Sequence, residues 1–437
     1  MGEVAKKKTS LAKAVFSGSL GNMLEWFDYG LYGYFAVIIS AEFFAAEDPI
    51  VGLLLSFMTF AVGFLVRPLG GILIGAYADK HGRIKALTLT ILGMGICTML
   101  MGCLPTYQQI GIAAPILLTV LRLIQGLCTG GEFGSSLTFI SEYGTPNNRA
   151  FLVSWQPFSV GVGLIIGSTS GLIITSILPT EALYAWGWRI PFICGILIAI
   201  YGVYMRRNVP DSPEFQKRKA EQEAAGVEAK VKIPFKDLFV GHFASIMAVI
   251  LLLAGASTSY YLLITYMPTY ISQFVGTSMS DAFAVNTSVL AIYLILCPFA
   301  GKIVDKIGRR RGLIIGSIGF LIFTYPVFFI LIQHTNPAIM IALLGILVAC
   351  QTLIAVGNAV VSTEIFPTEL RSSGVGFAYN LSAAVFGGLA PLAATALIAA
   401  TGNQISIVWL IMGAILITLI TSVFLLKRFY GKDGKVK

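Results

Sequence analysis

Apolar runs of about 20 residues recur from one end of this chain to the other, each long enough to cross a ~30 Å hydrocarbon core as a helix. In lipid every backbone N–H and C=O must find its partner within the structure, which favours helices for runs of this length. Charged residues make up 12% of the chain and hydrophobic residues 56%, where a soluble domain carries about 25% charge. The net charge of +9 does not point to nucleic acid, because its distribution is uneven. Apart from Arg67, Arg122 and Arg189, the basic residues fall in the two termini or in alternate loops, the positive-inside pattern of a polytopic membrane protein.

Twelve spans are predicted, at 15–40, 51–78, 86–104, 112–141, 151–178, 187–205, 240–273, 282–304, 312–332, 337–362, 374–400 and 405–426. The first outer loop holds Glu42, Glu47 and Asp48 and no base, whereas the next loop holds Lys80, Arg83 and Lys85. The alternation continues to the end and places both termini in the cytoplasm. The polar, lysine-bearing start lacks a cleavage site, so no removable signal peptide is expected. The predicted organisation is an N-terminal tail (1–14), a six-helix bundle (15–206), a cytoplasmic linker (207–237), a second six-helix bundle (238–426) and a C-terminal tail (427–437). The fold class is an all-α membrane protein of twelve transmembrane helices in two pseudo-symmetric bundles.

The halves repeat. Gly75-Ala76-Tyr77-Ala78-Asp79-Lys80-His81-Gly82-Arg83 recurs as Gly301-Lys302-Ile303-Val304-Asp305-Lys306-Ile307-Gly308-Arg309, and Glu142…Pro146…Arg149 recurs as Glu364…Pro367…Arg371. The copies are 226 residues apart (Asp79 to Asp305) and 222 apart (Glu142 to Glu364), nearly one offset. A parallel repeat with a binding site between its halves is a transporter plan. The repeated loop resembles the signature of the major facilitator superfamily, and its residues are expected to latch one conformation. Asp79, Arg83, Glu142, Arg149, Asp305, Arg309, Glu364 and Arg371 are thus the gating candidates, with Arg67 beside Pro68 as a ninth.

Two acids sit where lipid should be. Glu25 and Asp28 are three apart, on one side of a helix with Asn22, and no Lys or Arg falls between Lys13 and Arg67. A charge near the bilayer centre costs about 2.5–3.5 kcal/mol on insertion scales, so such residues are functional candidates. Arg122 is expected to be their partner, the one guanidinium equally deep in an apolar run. It opens a stripe with Gln125, while Gly126, Gly130 and Gly134 form a ridge for close helix packing. Its fixed charge and forked donors suit a carboxylate, so a substrate anion is expected to compete with the acids for it. Glu25, Asp28 and Glu132 are the proton-coupling candidates. Asn22, Arg122, Gln125, Gln156, Tyr261, Tyr379 and Asn380 are the substrate-binding candidates.

The C-terminal half lacks deep charge and offers Tyr260, Tyr266, Tyr270, Gln351 and Asn358 besides. Pro268 should break the seventh span. Its tyrosines can hydrogen-bond a carboxylate or form a cation–π wall for a quaternary ammonium. His81, His242 and His334 receive no role, and the six cysteines lie in apolar segments without metal-ligand spacing, expected as buried thiols. No metal site is expected. With no nucleotide-binding loop and no catalytic set, the chain is expected to be no enzyme. It needs no cofactor and draws on a proton gradient.

Finer resemblance runs the length of the chain. Asn22-x-x-Glu25-Trp26-Phe27-Asp28, Arg67-Pro68-Leu69-Gly70-Gly71, Arg122-x-x-Gln125-Gly126, Gly130-Gly131-Glu132, Trp186-Gly187-Trp188-Arg189-Ile190-Pro191-Phe192, Pro213-Glu214-Phe215 and Glu364-Ile365-Phe366-Pro367 together resemble the metabolite:proton symporter family. Its members include carriers for 2-oxoglutarate, citrate, shikimate, and proline or betaine. The resemblance implies proton-coupled uptake across a bacterial inner membrane by alternating access. Gly131-Glu132-Phe133-Gly134, Trp155-Gln156 and Phe386-Gly387-Gly388 resemble the 2-oxoglutarate and citrate carriers, whereas Thr265-Tyr266-Met267-Pro268-Thr269-Tyr270 resembles the osmolyte branch. The leading expectation is a small organic acid, a di- or tricarboxylate or 2-oxo acid. The alternative is a zwitterionic osmolyte, with an exporter or a non-transporting receptor behind both. Osmosensing carriers of that branch carry a long C-terminal helical extension; this chain stops at Lys437, which weakens the expectation of osmotic regulation and leaves betaine or proline open as substrates. The expected partners are a small carboxylate-bearing solute, protons and the bilayer, not nucleic acid, with the chain working as a monomer.

Overall fold

A computed structural model of the protein describes residues 11–81, 83–130, 132–142, 144–145, 147–207, 235–367 and 370–430. Twelve helical passages follow one another. Span 1 runs through Leu11–Tyr34 and Ala36–Phe43, span 2 through Pro49–Leu65 and Arg67–His81, and span 3 is Arg83–Cys103. Span 4 comprises Ala113–Thr129 and Glu132–Glu142, span 5 Arg149–Val153 and Trp155–Ile177, and span 6 Leu183–Gly187 and Arg189–Arg207. Residues 208–234, most of the expected linker, lie outside the described residues. Span 7 combines Phe235–Tyr260, Tyr261–Thr265, Met267–Tyr270 and Ile271–Val275. Spans 8, 9 and 10 are Met279–Ile307, Arg309–Leu331 and Pro337–Glu364. Span 11 joins Arg371–Ser382, Ala383–Gly388 and Ala390–Thr401, and span 12 joins Ile407–Ile420 to Thr421–Leu425. Among the described residues eight helices are long and apolar enough to cross a membrane singly, or nine with the bent pair Thr180–Gly187 and Arg189–Tyr204. Spans 1, 3 and 4 complete the twelve.

Solvation is inverted relative to a soluble protein. Ile177, Leu197, Ile295, Ile322, Trp409 and Phe424 point outward, while Glu25, Asp28, Arg67, Arg122 and Gln125 are buried inside. Lipid rewards the first set and penalises exposure of the second. Within the first half, span 1 packs on span 5 and span 3 on span 6; within the second, span 10 packs on spans 8 and 9, and span 7 on span 12. The halves meet where span 5 lies on span 8 and where spans 2 and 4 lie on span 11.

The span breaks have local causes. Pro68 sits in the first turn of its helix, where a missing N–H costs nothing, and the preceding helix stops at Leu65. Ahead of Pro268, span 7 loosens into a π-helical turn over Tyr261–Thr265 and restarts at Met267, the break expected of a residue that removes a backbone donor. The predicted glycine ridge of span 4 also exists. A side chain at Gly126 would strike the Gly63 carbonyl of span 2, and one at Gly130 would strike the Arg67 carbonyl. Gly134 serves a different neighbour, since a methyl there would come 2.7 Å from the Gly376 Cα of span 11. Backbone contact between spans 2 and 4 is what carries both their arginines into the interior. The cysteines are free thiols, but Cys103 and Cys194 are exposed on the outer surface instead of buried, because they fall on outward faces of spans 3 and 6.

Candidate functional site

Residues 22, 25, 29 and 32 lie along one stripe of span 1, as helical spacing requires. Glu25 accepts from Arg67 Nη2 at 2.8 Å, with the two side chains 2% and 0% exposed. Arg67 Nε donates to the Tyr29 hydroxyl at 3.2 Å, and its guanidinium lies against the rings of Tyr29 (4.1 Å) and Phe64 (4.4 Å). This corrects the sequence expectation: Arg67, not Arg122, is the ion-pair partner of Glu25. The crossing of span 2 over span 4 buries Arg67 fully.

Arg122 is equally buried but differently held. It stacks on the Tyr32 ring at 3.9 Å and donates to Gln125, whose amide donates to Thr98 at 2.8 Å. Asp28 shares this compartment, hydrogen-bonding with Thr98 within electrostatic reach of Arg122. No ion pair within 4.0 Å joins Asp28 to Arg122 among the described residues. The Nε and Nη2 atoms of Arg122 have no hydrogen-bond partner. Two buried arginine compartments therefore flank the span 1 stripe where one had been expected.

Beside the first compartment lies a cavity between the halves. Its wall includes six aromatic residues: Trp26, Phe133, Tyr260, Tyr261, Tyr293 and Tyr379. Trp26 meets Tyr260 edge-on at 5.7 Å and Tyr261 at 5.6 Å, and Tyr260 meets Tyr293 at 5.7 Å. Tyr379 stacks flat on Phe133, centroids 3.4 Å apart. Gln156, Gln351, Asn358, Ser257 and Ser362 supply the polar part, and no described charged residue lines it. Trp26 Nε1, Gln156 Nε2, the Tyr260 and Tyr261 hydroxyls and Asn358 Oδ1 are buried without a protein partner. Such groups are costly unless a ligand or water satisfies them.

Contacts between the halves cross both ends of the cavity. At the face where the loops join spans 1 and 2, Ser168 meets Thr287 at 2.8 Å, Ser176 meets Ser280 at 2.8 Å, and Phe283 packs on Phe35 at 5.5 Å. At the opposite face, where the chain enters span 1 and leaves span 12, the repeated elements meet. Arg149 Nη1 donates to Glu364 at 3.2 Å, Arg309 approaches Glu364 at 3.4 Å and Asp305 at 3.5 Å, and the Tyr430 hydroxyl donates to Glu364 at 2.7 Å. Both Asp305 oxygens accept backbone N–H groups at the start of span 5, from Ala150 at 3.0 Å and Phe151 at 2.9 Å. A carboxylate at a helix N-terminus is favoured by the orphan N–H groups there. Glu142 is exposed and forms no ion pair with Arg371 among the described residues.

Of the expected substrate residues, Gln156, Tyr261 and Tyr379 line the cavity. Arg122 and Gln125 do not, and bind each other. Asn22 donates to Ser136 at 3.2 Å, and Asn380 donates to the Gly130 carbonyl at 2.6 Å, bracing spans 4 and 11. Tyr266 and Tyr270 are taken by Thr395 and the Gln404 carbonyl. The side chains of Asp79, Arg83 and Glu132 lie outside the described residues. Sequence reasoning passed over Trp26 and Tyr293 as wall residues and Tyr430 as a partner of Glu364. Trp26 carried a signal, lying next to Glu25 on the turn that faces span 7; Tyr293 and Tyr430 carried none.

A profile of the family described as "Sugar (and other) transporter" matches residues 14–232 and, again, 217–433. The chain is 33% identical over 420 residues to the glycine betaine/proline/ectoine/pipecolic acid transporter OusA of Dickeya dadantii, covering 95% of this chain and 83% of that one. It is 34% identical over 418 residues to the proline/betaine transporter of Escherichia coli K12 (94% and 83% covered). It is 32% identical over 418 residues to the citrate-proton symporter of Klebsiella pneumoniae (95% and 92% covered). Its fold is similar to that of the xylose transporter XylE from E. coli in a partially occluded inward open conformation, with a TM-score of 0.76 at 19% identity, over 98% and 99% of the two chains. With a repeated six-span half, ion pairs where the repeated elements meet and a central cavity, the chain belongs to the sugar (and other) transporter family of the major facilitator superfamily, in the branch that holds the metabolite:proton symporters.

Proposed function

We propose that the protein is a proton-coupled symporter of small zwitterionic osmolytes of the betaine and proline type, by alternating access of its two halves. The observation that carries this reading is the cavity wall: clustered aromatic rings, orphaned donors and no described charge. A quaternary or secondary ammonium is attracted to such rings, by about 2 kcal/mol or more when desolvated. A di- or tricarboxylate would instead call for cationic anchors lining the wall. The organic-acid expectation is therefore the weaker one here, and the proline and betaine carriers among the relatives lend weight to the same choice. Uptake of an organic acid remains the second reading, favoured by the citrate relative.

The site is proposed to lie in a bacterial inner membrane with both termini cytoplasmic, as the basic loops suggest. The cycle draws on the proton gradient and takes no cofactor. Reconstituted vesicles test this: an imposed pH gradient should drive accumulation of labelled glycine betaine or proline, with alkalinisation of the compartment the solute leaves. Accumulation of citrate or 2-oxoglutarate in their place would overturn the zwitterion reading, and no substrate-dependent proton flux would overturn symport.

A further inference from the structure

We propose that Asn358 selects the substrate by its nitrogen, accepting an N–H from a zwitterion of the proline kind and discriminating against quaternary ammonium compounds. This deepens the zwitterion reading above and rests on it for the class of ligand. Asn358 is 1% exposed, belongs to span 10 and lines the cavity. Its Nδ2 donates to the Leu252 carbonyl of span 7 at 3.0 Å. A carbonyl only accepts, so the nitrogen branch of the amide is fixed on that side and the oxygen takes the other. That oxygen, Oδ1, is buried without a protein partner. Trp26 Nε1 and Gln156 Nε2, also unpartnered in the wall, can only donate, and the Tyr260 and Tyr261 hydroxyls can do either. Among the unpartnered atoms of the described cavity residues, Asn358 Oδ1 alone is confined to accepting.

The rings of the wall do not choose between kinds of nitrogen, because cation–π attraction acts on protonated amines and quaternary ammonium alike. The amide oxygen does choose. A protonated secondary amine brings N–H groups and forms a charge-assisted hydrogen bond, roughly twice as strong as a neutral one. A quaternary nitrogen brings only methyl groups and leaves Oδ1 desolvated with no bond in return. Asn358 also has a counterpart at its own depth. It stands six residues before Glu364, and Gln156 stands seven after Arg149, the residue that pairs with Glu364 at 3.2 Å. At a helical rise of 1.5 Å per residue, both lie about 9–10 Å inward of that ion pair. A donor from the first half and an acceptor from the second thus share one level of the cavity. They complement the carboxylate and the adjacent ammonium N–H of one amino acid.

The probes are proline, N-methylproline and N,N-dimethylproline, which share a ring and a carboxylate and differ in carrying two, one or no N–H. Calorimetry on the purified protein in lipid nanodiscs measures their binding. The wild type should bind the first two within about threefold and the third at least about tenfold more weakly, the worth of one hydrogen bond to a charged group. Asn358→Leu should bind N-methylproline and N,N-dimethylproline within about threefold of each other. A side chain that served only to hold Leu252 would, on removal, weaken all three ligands alike and leave the step in place; that result overturns the proposal. An even decline along the series, the mark of ligand size, overturns it as well. If Asn358→Leu does not fold, the wild-type series decides alone: a step at the last N–H supports the selection, and its absence overturns it. Three amino acids bound alike would refute the role of Asn358 and leave the zwitterion reading standing, whereas binding of citrate and none of the three would overturn both.

Discussion

Arg149, from the first half, donates to Glu364, from the second, across 3.2 Å. The sequence elements that carry them are copies of one another, yet among the described residues only this crossed pair forms, and Arg309 and Tyr430 converge on the same carboxylate. Removing the shared acid from such a network costs about 2 kcal/mol, the low end for a buried pair because Arg149 is partly exposed. Glu364→Gln should therefore shift the protein towards opening at this face by roughly 30-fold. Spin labels on cysteines introduced at the exposed positions Asn147 and Ser373 would report it as a longer distance. An unchanged distance distribution would remove Glu364 from the gate.

The aromatic wall can be separated ring by ring. Trp26→Ala removes the ring that touches both Tyr260 and Tyr261, and should weaken glycine betaine binding by about 10- to 30-fold, the size of a desolvated cation–π contact. Tyr260→Phe keeps the ring and loses a hydroxyl that has no protein partner, so its affinity should stay within about threefold if the ring supplies the attraction. Calorimetry on both variants checks this. A larger loss in Tyr260→Phe than in Trp26→Ala would assign the wall to hydrogen bonding instead.

Arg122 is expected to act on stability and coupling before binding. With its guanidinium gone, Asp28 would keep its burial and lose the nearest positive charge, a loss of about 3–5 kcal/mol for a broken buried pair and smaller at this longer range. Arg122→Ala should melt well below the wild type, and Arg122→Ala/Asp28→Asn should recover part of the difference. Absence of any recovery would mean that the stacking on Tyr32, not the charge, is what the side chain contributes. Asp28→Asn alone should leave substrate exchange intact and lose accumulation against a gradient, as measured by counterflow and by pH-driven uptake.

Gly126 and Gly413 form a matched pair of helical glycines. A methyl at Gly126 would collide with the Gly63 carbonyl, while one at Gly413 would meet nothing within 4 Å. Gly126→Ala should destabilise the protein by about 1–3 kcal/mol as an overpacking change, and Gly413→Ala should be neutral or slightly stabilising. Thermal melts in the same lipid decide it; equal melting temperatures would show that spans 2 and 4 can separate without cost.

Much of this protein was legible before any coordinates. The apolar runs, the duplicated loops and the basic-loop alternation dictate twelve helices in two halves, because lipid enforces those rules locally and each segment obeys them alone. The break at Pro268 and the glycine ridge were readable for the same reason, being properties of one helix.

Which side chains meet was a matter for tertiary structure. Glu25 had two buried arginines within reach, and the linear sequence ranked them by depth along their spans. The choice of Arg67 follows from Gly126 and Gly130, which let spans 2 and 4 touch backbone to backbone and draw Arg67 under Tyr29. Likewise Tyr261 reaches the cavity while Tyr266 turns to Thr395, although both looked alike in the chain. Helix-to-helix contact distances separate such cases, and they are set by partners far along the chain, 42 residues for Glu25 and Arg67 and 129 for Tyr266 and Thr395.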